Sequence, residues 1–226
     1  MDHLACPRQL LLVLADDWHS TQGELQAYQR SDERQAWQAW GARIPVALGR
    51  GGLGWGIGLH SPPPETEPCK QEGDGRSPVG AFALTGLFGK APQDCLIDAK
   101  ARLPYCQAHT ELKAVDDPQS RYYNQIVDTR QRLADWQSAE DMLRTDQRYD
   151  LGIIVAHNTA PVLPGAGSCI FLHVWAGPET PTAGCTAMAM TSLRALVNWL
   201  RADHQPCLVQ LPRLHYQAFK GAWGLP

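Results

Sequence analysis

The chain has no long apolar run. The first one, Leu10 to Ala15, is closed by Asp16 and Asp17 and is too short for a signal h-region or a membrane span, and Met1 to Arg8 carries little positive charge. Read from Met1, this predicts no export and a cytoplasmic protein; a trimmed N-terminus would make the periplasm the expectation. A basic surplus is also missing. Lys and Arg total 20 against 23 Asp and Glu, a net charge of -3, so the footprint of a nucleic-acid binder is absent and a small or peptidic partner is expected. Nor is there a C-x-x-C pair. The seven cysteines form an odd set that suits neither a disulfide framework nor a zinc knuckle, so most are expected to be reduced and buried. Repeats and low-complexity tracts are lacking as well.

What remains is an ordinary globular composition. With 226 residues, 44% hydrophobic and 19% charged, the chain can bury a core and is read as one domain over 1–226. Gln9 to Ala15, Arg43 to Gly49, Gly80 to Phe88, Tyr149 to His157, Cys169 to Trp175 and Pro206 to Leu211 suit strands. The glycines from Gly49 to Gly58 and the prolines Pro62 to Pro64 predict tight turns and a surface loop. Gln93 to Ala114 lacks periodicity and reads as a variable insertion. Leu193, Leu196, Val197 and Leu200 follow helical spacing from Thr191, and Ser138 with Glu140 and Asp141 predicts a short helix running towards Asp146. Many strands and few helices indicate a mainly β, α+β chain with peripheral helices, a sandwich being one arrangement.

Chemistry concentrates in Thr182-Ala183-Gly184-Cys185-Thr186-Ala187. Small neighbours leave the thiol approachable, and the helix read after it predicts a dipole favouring thiolate. The amides of Gly184 and Cys185 could form an oxyanion hole. A small hydrophobe packed in a turn accounts for the same letters. His173 precedes the cysteine across a loop, the usual disposition of a base and a nucleophile, although a buried histidine satisfied by a carbonyl fits too. Cys169 and His173 are too far apart along a strand, about 13 Å at roughly 3.3 Å per residue, to share one zinc, so no metal or cofactor is expected. His157 and Asn158 either orient a base or cap a turn. Lys70 and Arg76, in a charged glycine-rich loop, are candidates to hold substrate carboxylates, followed by Arg144; Thr182 and Asn158 complete the candidate contacts. Asp116, Asp117 and Tyr122-Tyr123-Asn124 line the same cleft or form a turn. Trp55, Trp136 and Trp175 read as core rather than sugar platforms.

Arg76-Ser77-Pro78-Val79-Gly80-Ala81-Phe82, with Ile170-Phe171-Leu172-His173 and then Thr182-Ala183-Gly184-Cys185, resembles the L,D-transpeptidase catalytic-domain family over roughly Val46 to Leu211. The resemblance implies a β-rich, sandwich-like catalytic fold. It implies Cys185 as nucleophile, His173 as base, and Gly184 with Cys185 as oxyanion site. The implied reaction is attack on the diaminopimelate–D-alanine bond of a peptidoglycan tetrapeptide, with release of D-alanine and transfer of the acyl group from the thioester. Carbapenem acylation of Cys185 is implied as well. The chain departs from the family in having Ala183 where a histidine is usual, Thr186 and Ala187 after the cysteine, and a shorter His-to-Cys stretch, which marks a divergent branch. The partner is then a stem peptide or muropeptide, with no nucleic acid, no membrane insertion and an open oligomeric state. L,D-carboxypeptidase action in murein recycling is the favoured expectation. A periplasmic cross-linking transpeptidase, a non-catalytic wall-binding module and a generic cysteine peptidase are the alternatives.

Overall fold

The computed structural model describes residues 7–61, 67–92 and 103–226. Thirteen strands are described: β1 (Gln9–Ala15), β2 (Gln22–Gln29), β3 (Gln38–Ala47), β4 (Leu53–Trp55), β5 (Ser77–Gly89), β6 (Tyr105–Gln107), β7 (Leu112–Val115), β8 (Gln125–Asp128), β9 (Ala139–Asp141), β10 (Leu151–Val155), β11 (Phe171–Val174), β12 (Thr186–Met188) and β13 (Cys207–Pro212). Helices α1 (Met190–Trp199) and α2 (Arg213–Phe219) complete the set.

The main sheet runs β10-β11-β12-β3-β2-β1-β13-β5, and β5 also pairs with β10, so the path closes into a barrel-like sheet. Closure lets the inward residues meet from all sides. Leu11, Val13, Leu25, Val79, Phe82, Ile153, Leu172 and Leu211 are fully buried in one cluster, each burial worth about 1.5–3 kcal/mol for the larger side chains. Helix α1 presents Leu193, Leu196 and Val197 to the same core, packing over β10 and β11. The chain is mainly β with peripheral helices, as expected.

Alternation along β11 sorts its side chains to two faces. Leu172 and Val174 enter the barrel core, whereas Phe171 joins a second cluster with Phe88, Leu112, Met142 and Tyr149, against which Cys169 and Cys185 pack. The small sheet β8-β7-β9 contributes to this second cluster. His173, two residues beyond Phe171, shares its side of the strand.

Two sequence expectations are corrected. The stretch from Ser138 is not a helix: Ala139–Asp141 pairs antiparallel with β7, and Lys113 and Asp141 form a cross-strand ion pair. Acidic residues that can open a helix are equally at home on an edge strand. Cys185 does not precede a helix directly either. Strand β12 intervenes, parallel to β11 with His173 beside Ala187, and α1 starts only at Met190. The predicted insertion lies partly outside the described residues; its described part forms β6 and β7. A buried polar link braces β12 from behind: Thr186 Oγ1 donates to Gln210 Oε1 on β13 (2.8 Å), and Gln210 Nε2 donates to the Pro78 carbonyl on β5 (2.9 Å).

Candidate active site

The loop before Cys185 is stitched to the glycine-rich segment after β3. Thr182 N–H donates to the Leu48 carbonyl and Arg50 N–H to the Thr182 carbonyl. The Cys185 carbonyl accepts two hydroxyls, from Thr182 (2.6 Å) and Ser77 (2.9 Å). At about 1 kcal/mol net for each neutral hydrogen bond, these fix the cysteine's backbone at modest cost. Gly184 has φ +148°, and a Cβ there would stand 3.0 Å from the Arg76 carbonyl, so glycine is required.

Cys185 lines two cavities. One, of about 170 Å³, contains His173, Arg144, Arg148, Tyr149 and Trp175. The other, of about 150 Å³, contains Lys70, Glu72, Asp116, Ser168 and Cys169. Glu140 and Ala183 also border both. Cys185 Sγ accepts the Phe171 N–H (3.3 Å) and points its own weak donor at the Cys169 carbonyl (3.7 Å). Burial pushes the thiol up to about 12; Glu140 adds to this, while the Phe171 amide, Lys70 and Arg144 pull the other way.

His173 is 6% exposed. Its Nδ1 lies 2.8 Å from the Val174 carbonyl, which can only accept, so Nδ1 carries the proton and Nε2 of the neutral ring keeps its lone pair. Burial depresses the imidazole to about 4, and Arg148 and Arg144 press in the same direction against the carbonyl bond. Both shifts favour the uncharged thiol and the uncharged imidazole. The helix dipole expected from the sequence has no part in either.

The YkuD family model, described as the L,D-transpeptidase catalytic domain, matches residues 20–209. The chain belongs to the L,D-transpeptidase family. Searches of curated proteins and of solved structures returned no match. Membership places the protein among peptidoglycan-acting cysteine enzymes, and the matched segment contains every residue of the two cavities.

Within this transpeptidase-family site the other sequence candidates separate. Arg144 and Thr182 line the His173 cavity, and Lys70 lines the other. Lys70 Nζ is buried, donating to Asp74 Oδ1 (2.5 Å) and the Gln71 carbonyl (2.7 Å), and lies 3.7 Å from where a Cβ on Gly184 would be. Arg76 lines neither cavity. Its Nη1 donates to the Leu53 carbonyl (2.7 Å) and its methylenes pack over Gly51 and Gly54, so it braces the loop. Asn158 is fully buried, with Nδ2 on the Leu163 and Gly167 carbonyls and Oδ1 accepting the Leu163 amide; it pins a loop and orients no base. The Gly184 amide is engaged by Thr182 Oγ1 (3.1 Å), which removes it from the expected oxyanion pair.

Several residues of the site were missed from sequence. Ser77 stood in the quoted Arg-Ser-Pro segment, where a hydroxyl beside a glycine-rich loop was the available signal. Glu140, Arg148 and Tyr149 carried none, since they arrive from β9 and the turn before β10. Asn124 accepts the Cys169 amide (2.8 Å) and donates to the His157 and Asn158 carbonyls, and Tyr123 and Ser168 both donate to Glu72. Trp55 is core, Trp136 packs on Tyr122, and Trp175 borders the His173 cavity. Among the described residues no cluster could hold a metal ion, and no helix is long and apolar enough to cross a membrane.

Proposed function

We propose that the protein is an L,D-carboxypeptidase acting, as a single catalytic domain, on muropeptide tetrapeptides through a Cys185 thioester. The observation that carries this reading is that Cys185 and His173 line one charged cavity, the imidazole having its Nδ1 tied back to the Val174 carbonyl. As Sγ attacks the carbonyl of the diaminopimelate–D-alanine bond, its proton passes to His173 Nε2. The Cys185 amide, with the third donor of Lys70, stabilises the oxyanion. When the C–N bond breaks, Nε2 returns that proton to the leaving amine, so D-alanine departs and a thioester remains. Water entering the vacated cavity gives a proton to Nε2 and attacks the thioester. The tripeptide acid leaves, and the proton goes back to sulfur.

Neutral resting partners suit this sequence, because charge separates only as substrate replaces water around the thiol. The cavity on the His173 side, about 170 Å³ and open at its mouth, admits the water that hydrolysis consumes. The test is mass spectrometry of a disaccharide-tetrapeptide incubated with the protein and with Cys185→Ala. Tripeptide and free D-alanine are expected from the wild type only. A cross-linked dimer lighter by one D-alanine would mean transpeptidation, and turnover by Cys185→Ala would sink the nucleophile assignment.

A further inference from the structure

If His173 both takes the thiol proton and returns it to the leaving amine, the departing residue must occupy the His173 cavity. In an amino acid the α-carboxylate is two bonds from that amine, so its counter-charge has to come from the same cavity. Two guanidinium groups are present there, and their states differ. Arg144 is committed: Nε and Nη2 grip both oxygens of Asp146 (2.9 and 2.6 Å), and its plane rests over Tyr149 at 5.1 Å. Arg148 is less so: its buried Nε forms only an ion pair with Asp146 Oδ2 at 3.4 Å, without the alignment of a hydrogen bond, while its side chain is 41% exposed and lines the same cavity. Its backbone is nevertheless fixed next to the base, because Val174 N–H donates to the Arg148 carbonyl (3.0 Å).

We propose that Arg148 is the specificity-determining residue that binds the free α-carboxylate of the departing D-amino acid, restricting the enzyme to peptides in which that residue is C-terminal. This rests on the carboxypeptidase reading above and deepens it. A planar guanidinium matches a carboxylate in a two-point contact that a carboxamide cannot reproduce.

The experiment compares kcat/KM for a tetrapeptide ending in D-alanine with that for the same peptide ending in D-alaninamide, in the wild type, Arg148→Gln and Arg148→Lys. The wild type is expected to prefer the acid by about 10- to 100-fold, the range of a charge-assisted hydrogen-bonded pair. The ratio should fall to about 1 in Arg148→Gln and stay intermediate in Arg148→Lys, which keeps the charge without the fork. Both peptides are read on one preparation, so partial unfolding cancels in the ratio. Equal rates on acid and amide in the wild type, or an acid preference that survives in Arg148→Gln, overturns the inference and leaves the carboxypeptidase standing. A wild type that cleaves neither peptide overturns both.

Discussion

Two histidines in this protein are similarly buried and differ in how their ring nitrogens are engaged. His157 and His173 are both buried, and burial depresses both to about 4. Around His157 the backbone consumes both ring nitrogens: the Ile57 amide donates to Nδ1 (3.2 Å), and Nε2 faces the Ala166 carbonyl (3.0 Å). Around His173 only Nδ1 is consumed, and the other nitrogen is left to a cavity that also contains the thiol. Burial and a shifted pKa therefore do not identify a base. What separates them is the second ring nitrogen: His157 uses both in tying the 157–167 loop, while the proposed role of His173 needs the one it keeps.

That contrast can be broken most directly at His173. His173→Ala should lower tetrapeptide hydrolysis by about 10²–10⁴-fold, the usual worth of a positioned acid–base group, with the circular dichroism spectrum retained. A loss below tenfold would remove His173 from the chemistry and put the two histidines in one class.

Acid sharpens what they share. Each folded pKa lies below the ordinary 6.5, so the unfolded chain takes up protons first as pH falls. The stability is fully present above 6.5 and is lost on going down towards 4, by up to roughly 3 kcal/mol per histidine. Urea unfolding at pH 7, 5.5 and 4.5 measures it, and a flat profile would mean that the rings are not held neutral. The smallest effect is expected from His157→Gln. It leaves one of two backbone partners unsatisfied, costs about 1–3 kcal/mol in urea and removes part of the acid limb, with kcat/KM unchanged. A selective loss of kcat/KM there would give His157 a place in the reaction.

Much of the barrel was legible because its strands carry their own signal. QLLLVLA of β1, the apolar run of β10 and the helical stripe of α1 are short-range patterns that burial reinforces. Strand β2 was not legible. In QGELQAYQ only Leu25 and Ala27 are fully buried, and pairing with β1 and β3 makes it a strand. At residues 139–141 and 186–188 the local reading lost to pairing across the sheet, because a strand of three residues has no period to detect. The site divides in the same way. Cys185 and His173 belong to a motif, whereas Glu140 and Arg148 reach them only through the packing of β9 and the turn before β10. Arg76 and Asn158 sit in charged or turn-forming sequence that looks functional until their backbone partners are seen.

Strand β1 lies parallel to β13, Leu10 beside Cys207, and the Thr186–Gln210–Pro78 link ties the strand that follows the cysteine to the same late element. On a ribosome adding about 5–20 residues per second, Cys185, His173 and every cavity residue are synthesised before the strand that completes their frame. A chain halted short of Cys207 thus contains all the letters of the reaction and lacks the brace that holds them in place. Assembly of the candidate site is thereby tied to translation of β13, and a fragment that ends before it lacks the frame around Cys185 and His173.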